Sequence, residues 1–341
     1  MDELAEYAVE AQPTDGCSKI VDNLKEAEAV LIVDVSNLVY RCAYAHEELA
    51  TSDGRRSGHV FGAFQVLRSV FINDLPPKKW FIVFCYDLPT SKAFRQDILP
   101  TYKANRKQKD FNPLPEASAA LANIPGLHLS HPNREADDCI YWISTWITRN
   151  GYADKDIVIY SGDKDMWTFT DLPGVKVLSP NLGRMVTKED IVKHFYVDSP
   201  SKIPLSKSLF GDPSDGIKGP NRLLKKHVVS YLEPENVTLE SFLEAVKSSS
   251  TMPLNTKTKI LEASDLIRAN YKVACPDIYS FEGPGNLRKH SVRTSTGDGA
   301  EGLENVFAEY ECTSLVGTSG FFFGDAIATS ASLEKMFGLE K

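Results

Sequence analysis

The sequence predicts a doubly wound, mostly parallel α/β domain over residues 29–200, followed by a mainly helical C-terminal part over 201–341. Three observations carry this expectation. Short apolar runs at 29–34, 80–87 and 156–163 each end on an aspartate; amphipathic stretches of helical period separate them; no clear strand pattern follows residue 200. Runs that are apolar at consecutive positions belong to strands buried on both faces, as in a parallel sheet. Their alternation with helices makes the sheet doubly wound.

Residues 1–28 read as a peripheral appendage, acidic from Asp2 onward and lacking the apolar segment of a secretory signal. The first strand is 29–34. A helix over 59–75 follows, because Val60, Phe61, Phe64, Leu67, Val70 and Phe71 share one stripe. The second strand, 80–87, leads into a basic segment. Another helix covers 137–149, with Ile140, Tyr141, Ile143, Trp146 and Ile147 apolar, and the third strand is 156–163. Thr187 opens a helix over 188–197, and a second helix leads into Phe210. A Gly/Pro-rich turn (211–220), a basic helix over 223–232 and helices near 238–247 and 257–272 complete the ordered part. Residues 282–302, rich in Gly, Ser, Thr and charge, read as a mobile loop.

With 42% hydrophobic and 25% charged positions in 341 residues, the chain has the profile of a soluble globular protein. A net charge of -8 rules out a polycation that coats nucleic acid, while leaving room for a local basic groove. The six cysteines show neither a CxxC nor a zinc spacing, so reduced thiols in a cytoplasm are expected. No apolar stretch is long enough for a bilayer, and no membrane partner is expected.

Ligands of open α/β sheets sit beyond the carboxyl ends of the strands. Asp34, Asp87 and Asp163 close the three strands, so they belong to one rim. Further acids recur in local groups: Glu135, Asp137 and Asp138 at a helix start, Asp165 beside Asp163, and Asp212 with Asp215 in the Gly/Pro-rich turn. Taken singly, each group reads as a helix cap or turn former. Taken together, nine convergent carboxylates would repel one another severely without cations. Hard oxygen ligands on an open rim suit Mg²⁺ or Mn²⁺, and two such ions can clamp the attacking water and leaving oxygen of a phosphodiester. Without these nine acids the rest of the chain carries +1, so the acidity of the protein is largely this cluster.

Two basic patches accompany it. Lys92, Arg95, Lys103, Arg106 and Lys107 lie in a segment, 88–112, with six basic and two acidic residues. Most charge runs are solvated linkers. Here Phe94 and Tyr102 interleave with the cations, as contact with a single strand requires. Lys218, Arg222, Lys225 and Lys226 follow the Asp212/Asp215 turn and suit phosphate.

Five segments, in order, resemble the PIN-like 5′-nucleases, the flap endonucleases and 5′-3′ exonucleases, especially the stand-alone phage type. They are Leu31-Ile-Val-Asp-Val-Ser-Asn-Leu38, Phe94-Arg95 with Tyr102-Lys-Ala-Asn-Arg106, Glu135-Ala-Asp-Asp138, Ser161-Gly-Asp-Lys-Asp165 and Gly211-Asp-Pro-Ser-Asp-Gly216. The resemblance implies a two-metal site. Asp34, Asp87, Glu135, Asp137 and Asp163 would surround the first ion, and Asp165, Asp212 and Asp215 the second, with shared or water-mediated help from Asp163 and Asp138. It implies an arch over about 90–115, in which Lys103 and Arg106 approach the scissile phosphate and Tyr102 stacks on a base at the 5′ end. It also implies a helix–two-turn–helix on the duplex backbone. The turn Gly216-Ile-Lys-Gly-Pro-Asn-Arg222 is shorter than the family's, which argues against a potassium site there. The implied activity is a monomeric, metal-dependent 5′ nuclease acting on DNA 5′ ends, flaps or nicks. RNA in RNA–DNA hybrids and replication proteins are further expected partners.

Other patterns mislead. Gly297-Asp-Gly-Ala-Glu-Gly302 fits GxGxxG, but no strand precedes it and no apolar helix is expected after it. His128 and His131 lie between prolines and make no helical metal pair; Phe321, Phe322 and Phe323 read as core, with protein docking as the alternative. A haloacid-dehalogenase-like phosphatase would need an acid two residues after Asp34, where Ser36 stands. A binding protein on a nuclease fold that no longer cuts is opposed by the nine retained acids.

Overall fold

Every residue of strand β1 (Ala29–Asp34) is buried, and its side chains alternate between two cores on opposite faces. Val30 and Ile32 enter one, Ala29, Leu31 and Val33 the other. That two-sided burial explains the uninterrupted apolar run. The structure, a computed structural model, describes residues 26–106, 110–149, 151–276, 293–294 and 299–322. Around β1 lie β2 (Trp80–Tyr86), β3 (Leu127–Ser130), β4 (Asp156–Tyr160) and β5 (Val175–Ser179), all parallel. Two short antiparallel strands, β6 (Arg184–Met185) and β7 (Arg293–Thr294), close the edges. The order is β6-β5-β4-β1-β2-β3-β7. The chain thus builds outward from β1 to β3, then returns to the other side of β1 with β4. Its direction of winding reverses between β1 and β4, and a crevice opens there at the carboxyl ends.

Helices cover both faces. On one lie α1 (Val35–Ala45), α2 (Gly58–Ser69) and, beyond the short α3 (Ala93–Ile98), α4 (Leu114–Leu121), contributing Leu38, Phe64 and Leu121 to the core. On the other lies α5 (Ala136–Arg149), which contributes Cys139, Ile140, Ile143 and Ile147. The chain continues through α6 (Lys188–Phe195), α7 (Ile203–Phe210), α8 (Leu239–Ser248), α9 (Leu254–Glu262) and α10 (Ser264–Ala274). Phe242, Val246, Ile260 and Ile267 of these helices join the same core as Ile140 and Val83. The apolar interior therefore runs unbroken across residue 200. Finally α11 (Gly299–Glu309) packs Leu303 and Phe307 on the opposite face.

Three sequence expectations are corrected. Residues 223–232 are not a helix but two 3₁₀ turns, Lys225–His227 and Val229–Tyr231. The run Val228-Val229-Ser230 has low helix propensity, and Val228 at φ -119° breaks the turn between them. The helix expected over 59–75 keeps α geometry to Ser69 and ends in a π turn, Val70–Asp74. The GxGxxG motif has both a strand before it, β7, and a helix with apolar positions, α11, which begins within the motif at Gly299 and contains Gly302. Most of the loop expected at 282–302, most of the 1–28 appendage and Phe323 lie outside the described residues.

His128 is buried, stacked on Phe84 at 4.7 Å, with Tyr86 Oη at 2.7 Å from its Nδ1, and so belongs to the core. Phe321 and Phe322 are buried as well, which removes them as a docking site. Among the described residues no helix is long and apolar enough to cross a membrane.

The C-terminal segment is part of this core, since Phe307 is fully buried with its ring edge-on to Phe64 at 5.0 Å. Phe307→Ala is expected to lower unfolding free energy by about 3–5 kcal/mol in urea titration. Leu254→Ala, at a 77% exposed position, should stay within about 0.5 kcal/mol. Equal effects would contradict the packing.

Candidate active site

Asp34, the last residue of β1, caps α1: its Oδ1 accepts from Asn37 N at 3.1 Å and its Oδ2 from Ser161 Oγ at 2.8 Å. Burial first, then the neighbouring Asp87, push this carboxyl up to about 7. Asp87 follows β2 and accepts from the Ala136 backbone N at 2.9 Å; burial and the charge of Asp137 raise it too. Asp163 follows β4 and accepts from Asp165 N at 3.0 Å. It stands at the solvent edge, yet loss of hydration among its neighbours, with Asp137 and Asp34 adding repulsion, brings it to about 6. Asp34, Asp87 and Asp163 form no ion pair among the described residues. The crevice between β1 and β4 is therefore lined by carboxylates with no cation in contact, Lys207 acting on Asp163 only through space.

A clamp behind it fixes the β4 loop. Asn37 Oδ1 accepts from Gly162 N at 2.8 Å, Asn181 Nδ2 donates to Gly162 O at 2.9 Å, and Arg41 Nη1 donates to Asn181 Oδ1 at 2.7 Å. A Cβ at Gly162 would stand 3.0 Å from both Asn37 Oδ1 and Asn181 Nδ2, so any larger residue there would have to shift this clamp.

The start of α5 behaves differently. Asp138 is fully buried and binds Arg95 through both oxygens, at 2.6 and 2.8 Å. Glu135 accepts from Arg95 Nη1 at 3.1 Å and Tyr102 Oη at 2.7 Å on one oxygen, and from Lys103 Nζ at 2.6 Å on the other. Asp137 keeps one looser contact, 3.8 Å to Arg95; burial would raise its carboxyl, but Arg95 and Lys103 hold it below the usual range. Of the three acids, Asp137 is the one left to face the crevice charges.

The third group is the most compact. Ligand oxygens of Asp165, Asp212 and Asp215 lie within 4.8 Å of one another. In their midst is the buried Lys207 of α7, its Nζ at 2.5 Å from Asp165, 2.8 Å from Asp212 and 3.6 Å from Asp215. Burial alone would lower this lysine, but the three carboxylates raise it well above its ordinary value. Arg106 Nη2 adds a contact to Asp215 Oδ1 at 3.1 Å. The 212–216 turn is tied to the arch segment: Lys103 N donates to Asp215 O at 2.8 Å and Asn105 Nδ2 to Pro213 O at 3.1 Å. Gly216, at φ +71°, lies so close to Thr101 O that a Cβ would approach it to 2.4 Å.

Sequence reasoning missed Lys207, Asn37, Arg41 and Asn181. The available signal for Lys207 was a lone cation in the apolar stretch 203–210, immediately before an acidic turn. Several expected DNA contacts are corrected. Tyr102 is 2% exposed, so its ring is not free to stack on a base. Arg95 is 3% exposed and engaged with Asp138 and with Val273 O at 3.0 Å. Lys103 is held by Glu135, with φ +50° turning its side chain inward between Tyr102 and Arg106. Arg106, Lys218, Arg222, Lys225 and Lys226 are exposed and Lys92 is half-buried; Lys107 lies outside the described residues.

A profile described as "5'-3' exonuclease, N-terminal resolvase-like domain" matches residues 29–196. A 5'-3' exonuclease of Aquifex aeolicus (strain VF5) is 31% identical over 211 residues, covering 60% of this chain and 69% of that one. The chain belongs to the 5′-3′ exonuclease family. Solved structures agree in fold: T5 5′-exonuclease with bound zinc gives a TM-score of 0.55 at 17% identity, covering 83% of this chain and 98% of that chain. A bacteriophage T5 flap endonuclease in complex with DNA and metal ions gives 0.53 at 15%, covering 86% and 98%. In this family member the carboxylates sit at the reversal point of the sheet, where the topology itself opens a binding crevice.

The carboxylate rim carries a pH signature that a chelator should expose. Below the ordinary value of 3.8, Asp34 holds its proton in folded and unfolded chains alike and costs nothing. As pH rises the unfolded chain ionises first, so stability falls, and the cost is complete above the folded value of about 7. Asp163 and Asp165 act in the same direction; His59, lowered by burial, opposes them below its usual 6.5. In EDTA the thermal midpoint is expected to be lower at about pH 8 than at about pH 5. Mg²⁺ should restore it at the higher pH, and Asp34→Asn should flatten the slope. A midpoint that rises with pH in EDTA would count against the uncompensated rim.

Proposed function

We propose that the protein is a divalent-metal-dependent, structure-specific 5′ nuclease. It hydrolyses DNA phosphodiesters at or near a 5′ end and leaves a 5′-phosphate and a 3′-hydroxyl. The observation that carries this reading is the gathering of carboxylates at the sheet's reversal point in a chain of this family. The donor set fits the ion: hard oxygens, with three acids lacking any cation partner among the described residues, suit Mg²⁺ or Mn²⁺. We assign two ions, one to Asp34, Asp87, Asp137 and Asp163, the other to Asp165, Asp212 and Asp215. Bound there, such ions lower the pKa of water and stabilise the leaving oxygen.

The chain's own residues do the rest. Glu135 and Asp138, both committed to cations, support the site from behind: they hold Arg95, Tyr102 and Lys103 and so fix the base of the arch. Arg106 is exposed beside Asp215 and offers its guanidinium to the phosphate being cut. Lys218, Arg222, Lys225 and Lys226 grip the backbone of the adjoining duplex, the last two from 3₁₀ turns. The substrates are DNA 5′ ends, flaps and nicks, with RNA in RNA–DNA hybrids as a second class, and the enzyme acts as a monomer during replication.

A 5′-labelled flap and a gapped duplex, incubated with Mg²⁺ or EDTA beside a small phosphomonoester, test the reading. Cleavage of the labelled DNA in Mg²⁺ alone is expected. Hydrolysis of the phosphomonoester only would identify a phosphatase, and tight DNA binding without cutting a binding protein. Asp163→Asn and Asp87→Asn should each reduce cleavage by at least about 10²-fold while DNA affinity is kept. Normal turnover in either would misplace the site. Replacing Lys218 and Arg222 with alanine should lower the salt slope of log Kobs by about 2 without changing cleavage at saturating DNA.

A further inference from the structure

The two carboxylate groups are not equivalent. Among the described residues Asp34, Asp87 and Asp163 accept hydrogen bonds from neutral donors, including Asn37 N, Ser161 Oγ, Ala136 N and Asp165 N, and Lys207 acts on Asp163 only through space. Asp165, Asp212 and Asp215 instead surround the ammonium of Lys207 at 2.5, 2.8 and 3.6 Å, and among the described residues Asp215 alone reaches further cations, Arg106 at 3.1 Å and Lys103 at 3.9 Å. Lys207 is 4% exposed, so this charge is not a surface ion pair that water replaces freely. It also stands within the one three-acid group whose ligand oxygens lie, among the described residues, within 4.8 Å of one another.

The helix that carries it is locked. Ser206 Oγ donates to Phe195 O at 2.5 Å, Ser208 Oγ to Leu205 O at 2.7 Å, and Asn270 Nδ2 to Ser208 O at 3.2 Å. Withdrawal of the ammonium therefore depends on the lysine side chain, which is flexible and carries a compact charge. A divalent ion bound by the same oxygens cannot share their centre with it.

Resting on the nuclease reading above, we propose that Lys207 occupies the second metal position in the DNA-free protein, so that the two ions load in order and the second must displace the ammonium. The first ion then enters a crevice with no cation among its ligand oxygens, while the second competes with a resident charge. Lys207 is on this view a positioning residue that sets how much divalent metal a complete site requires.

The test uses the full chain without DNA. Mn²⁺ titration followed by electron paramagnetic resonance of the free ion should count one tight ion in the native protein and a second at least about ten-fold weaker. Lys207→Met, of similar length and uncharged, should tighten the second by at least about ten-fold and leave the first unchanged. Two equal sites in the native protein, or no tightening in Lys207→Met, would overturn the proposal. Native protein supplies a second readout that needs no variant. Reductive methylation, mapped by peptide mass, should spare Lys207 in EDTA and modify it when Mg²⁺ saturates both sites. Unchanged labelling would overturn the proposal. Absence of any Mn²⁺ binding by native protein would sink the metal site of the nuclease reading itself, and the displacement idea with it.

Discussion

The rest of the structure depends on one constraint: many negative charges must lie close together without pushing the fold apart. Two unit charges about 4 Å apart repel by roughly 4 kcal/mol at an effective dielectric near 20. The protein meets this repulsion with three enclosed cations. Arg95 and Lys103 neutralise Glu135 and Asp138, and Lys207 neutralises the group around Asp212. Among the described residues Asp34, Asp87 and Asp163, in the crevice between β1 and β4, have no cation in contact, and burial and crowding raise all three carboxyls. The distribution of cations, more than that of acids, decides where a divalent ion has most to offer.

This constraint also explains why the C-terminal helices share a core with the sheet. Seven of the nine acids come from the ends of β1, β2 and β4 and the start of α5, while Asp212 and Asp215 follow α7. Lys207 also comes from α7, and Arg95 is steadied by the Val273 carbonyl of α10. Asn270 of α10 joins Ser208 O to Lys218 O, so one side chain spans the helix bearing Lys207 and the loop bearing the outer basic patch. The helices after residue 200 thus hold part of the counter-charge as well as part of the core.

What could be read in the sequence followed from local rules. Consecutive apolar residues ending on aspartate gave away strands buried on both faces, and strand ends in such sheets share a rim. The acids in 135–138 and 212–215 were visible from spacing alone. What stayed hidden was which charges are enclosed. Arg95, Lys103 and Tyr102 look like a basic, aromatic surface because sequence does not show that Glu135 and Asp138 lie beneath them. Lys207 carried a weak signal, since a lysine in an apolar helix is either a snorkelling surface residue or a buried counter-ion. The failure at 223–232 is of another kind: its basic, amphipathic composition favoured a helix, while a Val-Val-Ser run and tertiary packing favoured two tight turns.

The arch segment shows how the inner and outer charges are coupled. Tyr102 and Lys103 turn inward to Glu135, and the left-handed backbone at Lys103 lets Arg106, three residues on, face solvent beside Asp215. The same few residues hydrogen-bond to the 212–216 turn, at a place where Gly216 allows close approach to Thr101. Any displacement of Arg106 acts on the turn carrying Asp212 and Asp215, whose remaining counter-charges are Lys207 and, at 3.9 Å from Asp215, Lys103. The outer basic surface and the acidic centre are therefore joined through one short stretch of backbone. A change of charge at the first is felt as a change in balance at the second.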